Sequence, residues 1–305
     1  MATGLSLRNS GNLENMSKII VSNAIANVEP AGPTNQLVAR YDIPAGSKQV
    51  NVPLWTRNDA AAITEGVDIS VPQQLGATVV TMTGEEHGIL IFVSDRLQHQ
   101  NNEDVLSHVG EVQGNALGRL LDTDLVTLFR SFSKEIVDST SSLVDGTIVH
   151  LAGAVSYLRT DNSSGQYGPA YGELNAVLHP EHIRRIAQDL TGLTAGGTAQ
   201  TAGTTYQGGI SEDVIKNYYR GNMGIFGISV YEDGNIVVGA EVANSASGAI
   251  FQKEALALAI EHEMTAEQER DASLRGTEVV MTGIWKEKEV VDDWGVEWHG
   301  KTTAV

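Results

Sequence analysis

The chain has 305 residues, with 38 Asp and Glu against 20 Lys and Arg, a net charge of −18 and no cysteine. This balance argues against nucleic-acid binding through phosphate neutralisation, which needs clustered cations. The missing cysteines exclude disulfides, thiolate nucleophiles and cysteine-bound zinc.

The length suits one large domain or two intimate ones. There is no signal-peptide core at the start and no run near the ~18 apolar residues of a membrane span, so a soluble protein made in the cytoplasm is expected.

Residues 1–40 are polar and weakly periodic. Pro30 and Pro33 interrupt any helix over residues 13–28, and the segment reads as an extended arm. Strand signals follow: Gln49-Val50-Asn51-Val52 alternates, residues 78–83 are β-branched, and Ile89-Leu90-Ile91-Phe92-Val93 is wholly apolar. Between them residues 52–73, with Pro53, Trp55, Gly66 and Pro72, predict a projecting loop or a long two-stranded hairpin.

The clearest helix is predicted over about residues 103–130. Asn102 is its expected cap, and Glu103 and Asp104 suit the positive end of the helix dipole. Val105, Val109, Val112, Ala116, Leu117, Leu120, Leu121, Leu125 and Leu128 form its apolar stripe. Gly110, Gly114 and Gly118 recur at four-residue spacing, each costing ~1 kcal/mol relative to Ala. A face kept free of side chains at that cost admits another backbone or lets the helix bend.

Beyond it, residues 147–159 predict an amphipathic helix and residues 174–178 a strand. Pro180 opens a further helix through Ile183, Ile186 and Leu190. Residues 191–209 are almost all Gly, Thr, Ala and Gln and predict a surface loop, with a short helix over residues 211–219. Residues 224–231 and 248–259 read as sheet edges and turns. Glu261, Glu263, Glu267, Glu269 and Asp271 form a solvated acidic run, and residues 277–285 form a strand returning to the sheet of the first half.

Chemical motifs fail on their context. Residues 295–302 spell GVEWHGKT, the letters of a phosphate-binding loop, but only three residues follow, too few for the helix that such a loop needs. His179 with His182, and Asp292, Asp293, Glu297 with His299, lack any established metal-ligand spacing. No G-x-S-x-G elbow occurs. No catalytic, cofactor or metal residue is assigned.

Taken in order, these features resemble the major capsid proteins of tailed bacteriophages, the Hong Kong 97-like fold. The resemblance rests on the polar arm, a hairpin extension with Ala62-Ile63-Thr64-Glu65-Gly66 near its tip, Val93-Ser94-Asp95-Arg96-Leu97 before the long helix, and the late segments Gly227-Ile228-Ser229-Val230 and 248–255. It implies an α+β chain with an N-terminal arm (1–40) and a peripheral domain (41–141) carrying the hairpin extension, or E-loop (52–73), and the spine helix (103–130). An axial domain (142–271) and a return to the peripheral sheet (272–305) complete it.

The resemblance further implies a non-catalytic protein that assembles with itself, as hexamers and pentamers, into an icosahedral virion shell in the host cytoplasm. Its expected partners are a separate scaffolding protein, a portal and a decoration protein, around double-stranded DNA bound without sequence specificity, with no membrane. Leu13, Ile19, Ile20, Leu54 and Trp55 would be buried between chains, and Gly110, Gly114 and Gly118 would meet a neighbour. About a hundred residues of scaffolding found ahead of the arm in some members are not seen here, so that segment is either cleaved or a separate protein.

Two other readings compete. An encapsulin-type compartment shares the fold but usually begins with a cargo-docking helix. An acidic β-rich secreted enzyme or binding module would use Trp285, Trp294 and Trp298 as an exposed platform.

Some members of the family weld the shell through a lysine on the hairpin extension, and no lysine occurs from Gln49 to Ser133. Boiled, denatured particles should therefore run as one band of monomer mass, and a ladder of covalent multimers would refute this.

Overall fold

The computed structural model describes residues 32–58, 60, 62–63, 65–66, 68, 74–100, 105–136, 143, 146–160, 167–191, 223–240 and 243–302. The arm with Leu13, Ile19 and Ile20, the cap at residues 102–104, residues 192–209 and the helix expected over 211–219 lie outside them. The chain divides into two compact units. Glu85–Leu120 and Glu261–Trp285 belong to the first, and Gly32–Gly84, Leu121–Ile260 and Lys286–Val305 to the second.

In the first unit β4 (Glu85–Ser94) pairs antiparallel with β11 (Gly276–Glu289), Gly276 opposite Ser94 and Trp285 opposite Glu85. The late strand thus returns to the first half, as its β-branched run predicts. Ser94 ends β4 and caps the short helix α2 (Asp95–Gln100), its hydroxyl accepting the Leu97 N–H at 3.3 Å. That helix was not anticipated, since Asp95-Arg96-Leu97 reads as a lead into the spine. Neighbouring β11 is β10 (Leu256–Asp271), on which Glu261, Glu263, Glu267 and Glu269 share one face by the two-residue period and are exposed. The carboxylate of Asp271 then turns the chain by accepting the Ser273 N–H and hydroxyl and the Leu274 N–H, bonds that hold it below the usual carboxylate range.

The spine helix α3 (Val105–Thr127) has 23 residues, about 35 Å at ~1.5 Å per residue, and ends in a 3-10 turn, Leu128–Ser131. Its buried ridge runs at four-residue steps through Gln113, Leu117, Leu121, Leu125 and Phe129. Val112 and Leu120, placed on the apolar stripe from sequence, are exposed. Each lies about 100° around the helix from a ridge residue, beyond the strip that packing covers. In their place the ridge buries a polar side chain. Gln113 donates through Nε2 to the Val279 carbonyl at 2.8 Å and the Ile89 carbonyl at 3.3 Å, pinning this stretch of helix to β11 and β4.

In the second unit the long insert is a hairpin. Strands β2 (Gln49–Trp55) and β3 (Ala77–Thr83) pair antiparallel, Gln49 opposite Thr83 and Trp55 opposite Ala77. The paired ribbon extends beyond the expected 52–73 because residues 49–51 and 77–83 also belong to the ladder. After the short helix α1 (Thr34–Leu37), β1 (Ala39–Asp42) runs parallel to the first residues of β10, Ala39 opposite Ala257.

The main core of this unit surrounds a six-stranded sheet. Its order is β5 (Glu135–Ile136), β12 (Gly295–Lys301), β9 (Ser245–Gln252), β6 (Leu174–Leu178), β8 (Ile228–Glu232) and β7 (Met223–Ile225). Helices α4 (Ile148–Arg159) and α5 (Pro180–Thr191) pack on it through Leu151, Ala154, Leu158, Ile183 and Ile186, against Leu178, Ile250 and Trp298.

Of the two segments read from sequence as edges and turns, residues 224–225 lie in β7 at one edge of the sheet, and residues 248–252 lie in β9 inside it. Gly248 permits this, because a Cβ there would meet the Val177 carbonyl at 2.6 Å. Between β7 and β8 the chain reverses through Phe226 and Gly227, both at positive φ (53° and 75°), the two-residue turn whose twist matches the paired strands.

Gln113→Ala removes both carbonyl contacts and leaves a gap in the ridge. It should lower unfolding free energy by about 1–3 kcal/mol in urea titration, whereas Val112→Ala, at an exposed position, should change it by less than about 0.5 kcal/mol.

Candidate functional site

The chemical motifs dissolve in the fold. Residues 295–302, the apparent phosphate loop, lie in β12, an extended strand paired on one side with β9 and on the other with β5. A strand whose amides are spent on two neighbours cannot cradle a phosphate. Trp285 and Trp298 are fully buried and Trp294 donates its indole N–H to the Gly168 carbonyl at 2.8 Å, so the exposed aromatic platform required by the binding-module reading is not formed. The acidic tail cluster is also dispersed. Asp292 accepts from the Ser133 backbone N–H and hydroxyl, Asp293 pairs with Lys134 at 3.1 Å, and Glu297 is buried. Among the described residues no group of three His, Asp or Glu is placed to hold a metal.

One arrangement has the connectivity of a hydrolytic triad that the sequence did not signal, because its members lie on three strands. His299 Nε2 is 2.9 Å from the Ser245 hydroxyl, and its Nδ1 is 3.4 Å from the Glu135 carboxylate. Ser245 is only 1% exposed, so no substrate carbonyl can reach it; the three side chains tie β9, β12 and β5 together.

His179 and His182, considered as a metal pair, have ring centroids 5.8 Å apart. His182 is fully buried, its ring edge against the Gly300 backbone. Burial pushes its pKa down to about 4, reinforced by His179 and Arg185, so it is neutral at pH 7.

The features left unpartnered are surfaces. At its foot the hairpin buries Val52 and Met82 in a small core with Ile43, Ala257 and Ala259, and Lys288 donates to the Thr81 carbonyl at 3.1 Å. Toward the tip the ribbon has no second layer. Leu54 is half-buried, Trp55 is 60% exposed, and Ile63, Leu75 and Val79 are exposed as well. Thr56 holds the end of the ladder, its N–H and hydroxyl both donating to the Gly76 carbonyl. On α3, Gly110 and Gly114 are half-buried and Gly118 is exposed. A Cβ added at any of the three would meet nothing within 4 Å. Among the described residues the close backbone approach these glycines would permit is not made.

No protein-family model matches the chain, and no curated protein matches it in sequence. Solved structures do. A chain from Mycobacterium phage Che8 superposes with TM-score 0.66 at 17% identity, over 90% of this chain and 97% of that one. The head structure of Helicobacter pylori bacteriophage KHP40 gives TM-score 0.67 at 10% identity, over 97% and 98%. The capsid of Ralstonia phage GP4 gives 0.62 at 12%, over 88% of each. What is shared at such identities is the fold. It is the α+β, Hong Kong 97-like fold of phage capsid structures, as the order of arm, hairpin, spine and late strands implies.

The buried neutral His182 makes stability depend on pH. Its pKa is about 4 in the folded chain and near 6.5 when unfolded, so the unfolded state binds the extra proton between those values. The contribution is complete above about pH 6.5 and is lost as pH falls toward 4. Urea titration should show His182→Phe retaining about 2–3 kcal/mol more of its pH 7 stability at pH 4.5 than the wild type does. Equal losses in both proteins would refute this.

Proposed function

We propose that this chain is the major capsid protein of a tailed bacteriophage, a structural subunit that assembles with copies of itself into the icosahedral shell around the genome. The observation that carries the reading is the hairpin ribbon. Its foot is packed, whereas its outer half presents Trp55, Val79, Leu75 and Ile63 to solvent, a row of large apolar groups that one chain does not cover. Burying the Trp55 side chain against a neighbour would contribute about 2–3 kcal/mol per contact, modest singly and large when repeated around a closed shell.

The fold shared with phage capsids over nearly the whole chain supports the same role. On this reading residues 1–40 are the arm, 41–141 with 272–305 the peripheral domain, and 142–271 the axial domain that meets its copies around the five-fold and six-fold axes. The net charge of −18 fits a container that encloses double-stranded DNA without gripping it. A separate scaffolding protein, a portal and a decoration protein are the partners such a shell requires. An encapsulin-type compartment would use the same fold, and particle contents separate the two.

Electron microscopy and native mass spectrometry of the protein, alone and with a co-expressed scaffold, test the reading. Closed shells tens of nanometres across are expected, and a monomer under every condition would overturn it. Trp55→Glu falls on exposed surface and Gly114→Leu on a face where an added Cβ meets nothing within 4 Å, so both should leave the monomer folded by circular dichroism while abolishing shells. Normal particles from either variant would remove that residue from the assembly surface.

A further inference from the structure

Two carboxyl groups meet inside the second unit. Asp122 on α3 and Asp233 just after β8 are each only 2% exposed and are bridged by Asn235. Two carboxyl groups buried side by side away from water are relieved by a single proton. The surrounding groups are mostly donors, which suits acid oxygens and not a metal ion. The Asn235 backbone N–H reaches Asp233 Oδ1 at 2.8 Å, the Asn235 side-chain amide reaches Asp122 Oδ2 at 2.9 Å, and the Thr34 hydroxyl reaches Asp233 Oδ2 at 3.3 Å.

Asp122 Oδ1 is buried without a hydrogen-bond partner. Above it lies Gly32, where a Cβ would fall inside the Asp122 carboxylate, so only glycine lets the backbone pass there. Thr34 is itself fully buried, and Asp233 is fastened from behind by its N–H to the Leu178 carbonyl at 3.0 Å.

We propose that Asp122 and Asp233 share one proton, and that this protonated pair is a clasp holding residues 32–37, the point where the N-terminal segment joins the fold, against the spine helix and the end of β8. With the proton bound the pair carries one charge. Without it two carboxylates face each other away from water, and the segment bearing Gly32 and Thr34 is the part free to give way.

Along these elements the neighbouring charged groups are Arg119 and Asp124 on the spine helix and Glu232 at the end of β8. Arg40 on β1 is taken up by the Asn35 carbonyl and side chain. Burial first, and then the neighbouring Asp122 carboxyl, push the Asp233 pKa up to about 7. Because the clasped state holds the proton more tightly than the released one, the clasp weakens as pH rises from about 4 to 7 and changes no further above that.

Hydrogen exchange of the full chain, corrected for intrinsic rates, reads the clasp at the Gln36 amide, which donates to the Pro33 carbonyl at 3.0 Å. Protection of residues 32–38 should fall by up to about 100-fold between pH 5 and pH 8, at tenfold per pH unit up to pH 7. Amides of β9 should not follow.

Asp233→Asn places an amide donor where the proton sits and should make protection independent of pH. If that variant does not fold, Asp122→Asn makes the same test from the other side. Equal wild-type protection at the two pH values, or an undiminished slope in the Asn variants, would overturn the proposal. So would recovery of protection at pH 8 on adding calcium or magnesium, which would mean that a cation occupies the pair.

Discussion

Three adjacent strands, β12, β9 and β6, are buried along nearly their whole length, and that constraint governs the rest of the second unit. A strand covered on both faces must be apolar or small throughout, must spend its amides and carbonyls on two neighbours, and must bring its partners close. Gly248 is small because β6 lies against it, and Gly295 because the Phe132 ring occupies its side-chain position. The same constraint removes chemistry. Ser245 and His299 acquire the connectivity of a catalytic pair only because the sheet places them side by side, and the burial that places them also closes them to any substrate.

Elsewhere the described residues leave surface uncovered. Once Val52 and Met82 fill the small core at the foot of the two-stranded ribbon, Pro53, Trp55, Ala77 and Val79 stay exposed. An isolated hairpin of this kind is marginal in water. The glycines of α3 carry a parallel cost, about 1 kcal/mol each in helix propensity, with no close contact among the described residues to offset it. Both features are expensive for a solitary protein and natural in one whose contacts are completed by its copies.

The sequence revealed the elements whose pattern is local. The hairpin, β4, α4, β6 with Pro180 opening α5, and the return of residues 277–285 were legible because period, breakers and caps lie within a few residues. Burial that depends on distant partners was not. Val112 and Leu120 are as apolar as Leu117 and Leu121, and only the arrangement of the sheet decides which of them is covered. Residues 248–252 read from sequence as an edge, whereas the small side chains of Gly248 and Ala249 are what a crowded central strand requires. The Asp122–Asp233 pair joins residues 111 positions apart (233 − 122) and leaves one local trace, an Asp set beside the apolar ridge of the spine.

Two titrating sites with opposite signs follow from this burial. His182 must gain a proton to become charged, so acid destabilises the fold through it. Asp233 must lose one, so base loosens the segment it holds. Between about pH 4 and 6.5 their slopes oppose each other, and global unfolding, which sums them, changes less than either alone. A weak pH dependence of bulk stability would therefore not mean that the interior lacks titrating groups. Their separation is spatial, with His182 beneath α5 and Asp233 at the base of residues 32–37, so a local probe resolves what the bulk measurement cancels. Sites of this kind are where solution conditions can act on the chain.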